Sequence, residues 1–346
     1  MTLAQAFEHQ AISCTRLGSP FMGQLFEALT RCWPYESRLG TYFNQFDDDI
    51  GPAGASLPLR IAGGLHALVL TGTSSELRSA YPPASVSDAD LLCAVSNALH
   101  QHEGFLLDWV QSPPQTNEVR RSAALLAAAA ILRQHTDLPV WLSELGASGG
   151  LNLMWDQFAV DLPGARLGPH NPALTLKPDW EGPLPPLDLP TVSDRAGVDL
   201  NPLDPTDPDD LLRLTAYLWP DQPERLALTK AAAAVATAPV FRGDAIDWLD
   251  HRLAEAPEGH VHLIQHTVAW QYFPSASQNR GRALIEAAGK QATSRRPLAW
   301  LAMESDGDTK GALGAALTLR FWPGNVTLNL GRADFHGRWI KWSGVA

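Results

Sequence analysis

The chain has 346 residues, 45% of them hydrophobic and 18% charged, which is typical of a globular protein with a sizeable core and excludes a disordered chain. Its formal net charge of −11 disfavours bulk nucleic-acid binding. Three widely spaced cysteines, the lack of a basic leader with an apolar core, and the lack of a bilayer-length apolar run favour a cytoplasmic protein without a disulfide framework, cysteine zinc site or membrane segment.

The first part of the chain is predicted to be helical. Apolar residues recur at three- and four-residue spacing through residues 1–110, the period of amphipathic helices. Two prolines in QSPPQTN (111–117) end this run. The alanine-rich stretch that follows is apolar almost all round, which predicts a buried helix. We therefore predict a helical domain over 1–115 and a second domain over 116–346.

From Pro139 onward the pattern changes to short apolar runs that alternate with helical stretches. Such alternation predicts an α/β domain with a mostly parallel sheet. The last part, around ALTLRFWPGNVTLNL, predicts terminal antiparallel strands joined by a turn. The predicted parallel strands are PVWLSEL (139–145), VFRGDA (240–245), HVHLIQHT (260–267) and RPLAWLAMES (296–305).

A proline-rich insertion over 159–208 interrupts the alternation. Eleven of the 27 prolines fall between Pro163 and Pro208, and the stretch shows no helical period. We interpret it as an ordered insertion, as a short hairpin (ALTLKPDW), or as a lid.

The glycine-rich turn in WLSELGASGGLNL (141–153) permits two interpretations. G-x-S-x-G is the elbow of a serine hydrolase, with Ser148 as nucleophile and with Asp244 or Asp247 and His266 or His336 as partners. An acid followed by glycines is instead typical of a loop that holds a nucleotide-like cofactor. The elbow normally follows earlier strands and an oxyanion loop, which the helical first part lacks. The second interpretation is therefore favoured.

Polar residues end the predicted strands, where open parallel sheets bind ligands. Glu144 ends the first, and Gln265, His266 and Glu304 end later ones. Asp199, which ends the short apolar run in GVDL (197–200), is interpreted either as a ribose ligand or as a helix cap. Asp244 is interpreted as an adenine ligand, an N-cap, or both.

These features resemble S-adenosylmethionine-dependent methyltransferases, whose fold is Rossmann-like with a final β hairpin. The resemblance is carried by E-x-G-x-x-x-G at 144–150, by Asp199 and by G-D-A at 243–245. It implies that Glu144 and the loop contact the amino-acid end of the cofactor, Asp199 the ribose and Asp244 the adenine. The predicted cofactor-binding residues are Glu144, Gly146, Ala147, Ser148, Gly150, Asn152, Asp199, Asp244, Ala245 and Gln265.

Other residues are candidates for catalysis and substrate binding. His266, Glu118 and Glu304 are the candidate general bases. Asn117, Arg120 and Tyr272 are candidate substrate-binding residues. The histidines of HVHLIQH have no matched carboxylate set, so we expect no metal site.

Nearly the whole chain also resembles a bacterial family known only as a domain of unknown function, number 2332, which implies no established activity. The stretches that carry this resemblance are PPQTNEVRRSAALL, ELGASGGLNL, RAGVDLNPLD, YLWPDQPER and RGDA. We expect a methyltransferase acting on a small molecule, with the N-terminal helices closing over the substrate. The alternatives are a serine hydrolase using Ser148 and a non-catalytic protein that binds a nucleotide or a partner.

Overall fold

The computed structural model describes residues 1–46, 49–51, 54–307 and 313–344. The chain forms two compact units, one of Met1–Thr116 with Asp207–Ala227 and the other of Asn117–Thr206 with Leu228–Ala346. Within the described ranges, no helix is both long and apolar enough to cross a bilayer.

Helices make up the first unit and also flank the strands of the second. In chain order the α-helices of the described residues are α1 (Leu3–Arg16), α2 (Pro20–Cys32), α3 (Arg38–Phe43), α4 (Leu57–Leu70), α5 (Ser75–Ala80), α6 (Asp88–Gln101), α7 (Glu103–Trp109), α8 (Ser122–Arg133), α9 (Pro208–Ala216), α10 (Pro223–Ala233), α11 (Ala245–Glu255) and α12 (Ser275–Gln291).

The strands lie in the second unit. They are β1 (Val140–Leu145), β2 (Phe158–Leu162), β3 (Ala165–Leu167), β4 (Leu174–Leu176), β5 (Asp179–Glu181), β6 (Val192–Asp199), β7 (Val240–Arg242), β8 (Val261–Thr267), β9 (Leu298–Glu304), β10 (Ala315–Trp322), β11 (Val326–Ala333) and β12 (Trp339–Trp342).

The helical core of the first unit includes a segment distant in sequence, residues 207–227. The ring of Tyr217 lies so close to Gly63 of α4 that a Cβ there would be 2.4 Å from it. Asp221 accepts hydrogen bonds from Ser19 Oγ (2.5 Å) and Phe21 N (3.1 Å) at the start of α2. These contacts explain why a segment assigned by sequence to the second domain belongs to the first unit.

The central sheet of the second unit has nine strands in the order β5-β12-β11-β10-β9-β8-β1-β6-β7. Strands β9, β8, β1, β6 and β7 are parallel neighbours, and β9 to β12 form an antiparallel meander. The mostly parallel sheet with an antiparallel hairpin at its end is thus confirmed. The chain runs from β1 through β6 to β7 on one side and then adds β8 and β9 on the other.

Helix α8 precedes β1 and is buried along its length, with Ser122 and every residue from Ala123 to Leu132 inside the protein. This agrees with its apolar surface on all sides, because a helix without a polar face has no side to present to water. It is part of the second unit and fixes the segment before it against the sheet.

The proline-rich insertion forms strands in two different sheets. Strands β2 and β3 form an antiparallel hairpin, and β4 lies parallel to β2 in a small separate sheet. Strand β5 instead pairs in parallel with β12 at the edge of the large sheet. The predicted hairpin in ALTLKPDW is therefore wrong, because its two halves, β4 and β5, pair with different partners.

Candidate functional site

The sheet reverses its strand order between β1 and β8. At this point Glu144 of β1 and Gln265 of β8 are register partners near the carboxyl ends of their strands. Open parallel sheets bind ligands at the carboxyl ends of the strands beside such a reversal. Two residues predicted to bind a cofactor therefore lie side by side where the topology places a ligand.

Glu144 is a buried carboxyl group whose hydrogen-bonding capacity is incompletely used. It is 2% exposed, and its Oε2 has no hydrogen-bond partner among the described residues. Burial raises the pKa of Glu144 to about 8, although the Gln265 amide and the charge of Arg121 lower it; Asp199 adds to the rise. At neutral pH the group therefore holds a proton, and a cation beside it would favour its ionised form.

The side chains around Gln265 are held by buried hydrogen bonds. Gln265 Oε1 accepts from Trp155 Nε1 at 3.1 Å, and its Nε2 donates to the carbonyl of Asn152 at 3.4 Å. The side-chain oxygen of Asn152 in turn accepts from Ser122 Oγ at 2.7 Å. Gln265 and Asn152 thus form a rigid wall beside Glu144.

The glycine-rich loop after β1 has the left-handed backbone that its sequence predicts. Gly146, Ser148 and Gly150 have φ angles of 71°, 53° and 69°, a conformation that is strained for the non-glycine Ser148. A Cβ at Gly146 would lie 2.6 Å from the Cβ of Ala269, in the segment after β8. The loop therefore passes close to β8, across the reversal point.

Backbone donors of this loop are used inside the protein. The N–H groups of Gly146 and Ala147 donate to the carbonyl of Val198 at 2.9 and 3.0 Å. The N–H of Ser148 donates to Asp199 Oδ2 at 2.9 Å. Ligand recognition at this edge consequently depends more on side chains than on these three amides.

The element after the loop is a short 3-10 helix, Leu151–Gln157, and not the long α-helix that a doubly wound fold usually has there. The N–H of Leu151 donates to Asn117 Oδ1 at 2.9 Å. Asn117, predicted to contact substrate, is thus committed to this helix start. The dipole of a long helix is not available to a ligand, because the helical turns end before β2.

Two acids end the strands on one side of β1. Asp199 at the end of β6 accepts from Asn201 N at 2.8 Å as well as from Ser148 N. Asp244 caps α11, accepting from Ile246 N at 2.8 Å and Asp247 N at 3.0 Å, and Ala245 is the first residue of that helix. The capping interpretation of Asp244 is what the structure shows. Its role toward adenine stays a prediction.

His266 and Glu304 form a buried pair with each other. Trp300 Nε1 donates to His266 Nε2 at 2.8 Å, so the imidazole proton lies on Nδ1, which donates to Glu304 Oε1 at 2.8 Å. Glu304 also accepts from the N–H groups of Ala269 and Trp270. Burial opposes ionisation of Glu304, but the His266 hydrogen bond and these amides hold its pKa below the ordinary range. Both ring nitrogens of His266 are thus occupied, which disfavours it as a general base.

The remaining predicted residues lie before α8 and after β8. Glu118 is buried and accepts from both the backbone N and the Nε of Arg120 at 3.2 Å. Tyr272, in the 3-10 helix Trp270–Tyr272, is 61% exposed. Of the predicted catalytic and substrate residues, Tyr272 is the one displayed to solvent, and Glu118 and Arg120 form an ion pair.

Comparison with known proteins identifies one family. The sequence profile of a family described as "Uncharacterized protein conserved in bacteria (DUF2332)" matches residues 4–342. The chain belongs to the DUF2332 family. No curated protein and no solved structure matches it significantly. The site of this DUF2332 chain is therefore interpreted from its own geometry.

The hydrolase interpretation of this DUF2332 chain does not gain support from the site. Ser148 is buried, and its backbone N–H is bound to Asp199. His266, one of its two candidate bases, is held between Trp300 and Glu304. A nucleophile needs a base within hydrogen-bonding reach, and His266 is not free to serve.

Arg121 is a residue of the site that the sequence analysis missed. Its Nε donates to the carbonyl of Phe335 at 2.8 Å and its Nη1 to that of Thr267 at 3.1 Å. Its charge also lowers the pKa of Glu144. The signal was an arginine at the start of a helix predicted to be buried, where a charge needs specific partners.

A second buried polar cluster was also missed. Ser143 Oγ and His262 Nε2 are 2.9 Å apart between β1 and β8, and Arg252 Nε donates to Ser143 Oγ at 3.2 Å. Burial, reinforced by the charge of Arg252, lowers the pKa of His262 to about 3. The histidine is therefore neutral. Within the described ranges, no group of three or more metal-ligating side chains is found.

Proposed function

We propose that this chain is an S-adenosylmethionine-dependent methyltransferase that acts on a small molecule. The observation that carries the proposal is Glu144, a buried carboxyl group with an unsatisfied Oε2 at the reversal of the sheet. The ammonium of the cofactor's amino-acid end would supply the donor and the positive charge that this oxygen lacks. Asp199, at the end of the neighbouring strand, supports the proposal as a second acceptor.

The residues present fit such a group through side chains. Glu144 would bind the amino-acid end of the cofactor, Asp199 would accept from ribose hydroxyl groups, and Gln265 would fix the wall between them. When bound, the cofactor supplies a methyl group activated by its positive sulfonium. Transfer is an in-line displacement, so orientation of the acceptor by the site provides a large part of the rate enhancement.

The pairing of His266 with Glu304 bears on how the proposed methyl transfer would be catalysed. Because His266 and Glu304 are bound to each other, the chain would act mainly by positioning, on an acceptor that needs no strong base. The same observation favours a second candidate, a protein that binds the cofactor without turnover.

Calorimetric titration of the full chain with S-adenosylhomocysteine at pH 8 tests the cofactor site. We expect saturable binding with one site, and a Kd about tenfold or more higher for Glu144→Gln, because a charge-assisted hydrogen bond is lost. Glu255→Gln, at the exposed end of α11, is the matched control and should bind as the unaltered chain does. No heat with S-adenosylhomocysteine or S-adenosylmethionine at millimolar concentration would contradict the proposal.

Turnover is tested separately. Incubation with cofactor carrying a labelled methyl group and a bacterial metabolite extract should transfer label to a small molecule. Cofactor binding with no transfer to any fraction would support the non-catalytic candidate instead.

A further inference from the structure

The helical first unit contains a cavity of about 400 Å³. It lies among α4, α5 with the segment that follows it, and residues 218–226. Its size lies within the range of small-molecule sites. The residues on which its chemistry depends are His66, Arg78, Tyr81, Leu218, Trp219 and Leu226.

The walls of the cavity are aromatic, apolar and firmly held. The Tyr81 ring packs edge-on against Phe21 with centroids 4.7 Å apart, and it stacks on His66 at 6.1 Å. His66 Nδ1 lies 3.0 Å from the carbonyl of Ala216. Burial lowers the pKa of His66 to about 4 against the raising effect of nearby carbonyl groups, so the ring is neutral and its Nδ1–H donates to Ala216. Such walls suit the flat, apolar body of a ligand.

One charged group gives the cavity its specificity. The Tyr81 hydroxyl is buried, so this tyrosine contributes its ring as part of the wall. Arg78 of α5 is exposed at the rim and supplies a guanidinium.

The charge on the residues that line the cavity is one-sided. No carboxylate is found among the described residues that line it, and Arg78 is the charged side chain of that set. The nearby acid Asp221 is committed to Ser19 Oγ and Phe21 N. A guanidinium that is not opposed by a lining acid favours an anionic ligand, above all a planar carboxylate.

We propose that this cavity binds a small carboxylate with an aromatic or branched apolar body. Arg78 pairs with the carboxylate at the rim, and the walls around Tyr81 and Trp219 enclose the apolar body. The site lies within the first unit and is independent of the proposed cofactor site.

Calorimetric titration of the full chain with phenylacetate tests this proposal, with the neutral phenylacetamide as matched ligand. We expect one saturable site for phenylacetate and a Kd about tenfold or more higher for phenylacetamide. Arg78→Gln should raise the Kd of phenylacetate by a similar factor and remove the difference between the two ligands. Arg31→Gln, which changes an exposed arginine of α2 outside the lining, should leave both affinities unchanged.

Tyr81→Phe keeps the aromatic wall and removes only the buried hydroxyl. It should leave both the Kd of phenylacetate and the unfolding midpoint of the ligand-free chain unchanged, because the hydroxyl has no partner among the described residues. Absence of phenylacetate binding at about 10 mM, or equal Kd values for Arg78→Gln and Arg31→Gln, would overturn the proposal. Glu144→Gln should bind phenylacetate normally, so failure here and failure of the cofactor proposal are distinguishable.

Discussion

Two glutamates near the carboxyl ends of parallel strands occupy opposite electrostatic situations. Glu304 on β9 accepts from His266 and from the backbone N–H groups that follow β8, and its pKa lies below the ordinary range. Glu144 on β1 is more deeply buried, has an unsatisfied Oε2, and has a pKa raised to about 8. The same residue type is thus stably ionised at one strand end and neutral at another.

The contrast separates a structural carboxylate from the one that we propose binds the cofactor. Glu304 accepts hydrogen bonds from His266 and from backbone N–H groups, and these bonds hold β9 against the segment after β8. Oε2 of Glu144 has no such donor among the described residues, so the folded chain bears a desolvation cost that a cationic ligand can relieve. Perturbed carboxyl groups of this kind cluster at functional sites.

The largest effect is expected for Glu304→Gln. The amide nitrogen would face groups that donate, and His266 and the backbone amides would lose a charged acceptor, so we expect a loss of about 3 kcal/mol in the free energy of unfolding at pH 7. Urea denaturation measures it. Glu258→Gln, whose side chain is 65% exposed, is the control, and an equally small change in both variants would refute the structural role of Glu304.

Glu144→Gln should change the free energy of unfolding in the opposite direction and stabilise the protein. Folded Glu144 keeps its proton up to about pH 8, whereas the unfolded group releases it near 4.5. Between these values the native state binds more protons, so the unaltered chain loses stability as pH rises, by up to about 1.4 kcal/mol per pH unit. The variant lacks this loss and should be more stable near pH 7 by roughly 3 kcal/mol. Urea denaturation from pH 5 to 8 that gives parallel profiles would contradict the raised pKa.

The affinity for the cofactor should also depend on the proton that Glu144 holds below about pH 8. Below pH 8 a bound ammonium must displace the proton of Glu144, so the Kd of S-adenosylhomocysteine should fall by up to about tenfold per pH unit from pH 6 to 8 and then level off. Titrations at several pH values measure this. Adenosine, which has no ammonium, should show no such trend; an identical trend would mean that another group titrates.

The smallest effect is expected at Asp244. Asp244→Ala removes the N-cap of α11 and should cost about 1 kcal/mol of unfolding free energy, by urea denaturation. This value gives the stabilisation that an ordinary capping carboxylate provides, against which the effects of the two glutamate substitutions can be compared. A loss as large as that of Glu304→Gln would show that Asp244 does more than cap a helix.

The sequence predicted the parallel strands well, because short apolar runs are typical of buried strands. It could not predict the pairing of β5, because its partner β12 (Trp339–Trp342) lies far from it along the chain. Nor could the sequence assign residues 207–227 to the first unit, because the pattern of an amphipathic helix does not show against which hydrophobic core the helix packs. In the first unit, Tyr217 packing on Gly63 settles that assignment.

The site was predictable only in part. Glu144 and Gln265 follow from their positions near the strand ends, since β1 and β8 are neighbours. The mutual occupation of His266 and Glu304 depends on the register of β8 with β9 and on the indole of Trp300. Contacts of this kind decide whether a histidine can act as a general base or is held by hydrogen bonds to its neighbours. The spacing of residues along the chain does not predict such contacts.

The pairing of β5 with β12 has a consequence for synthesis of the protein. Strand β5 emerges from the ribosome well before β12, so its partner edge is absent while most of the second unit is made. Long-range pairing of this kind slows folding and leaves strand edges open to association. The last described strand, Trp339–Trp342, therefore joins β5 to the sheet, and a nascent chain that lacks it would leave β5 and the outer edge of β11 unpaired.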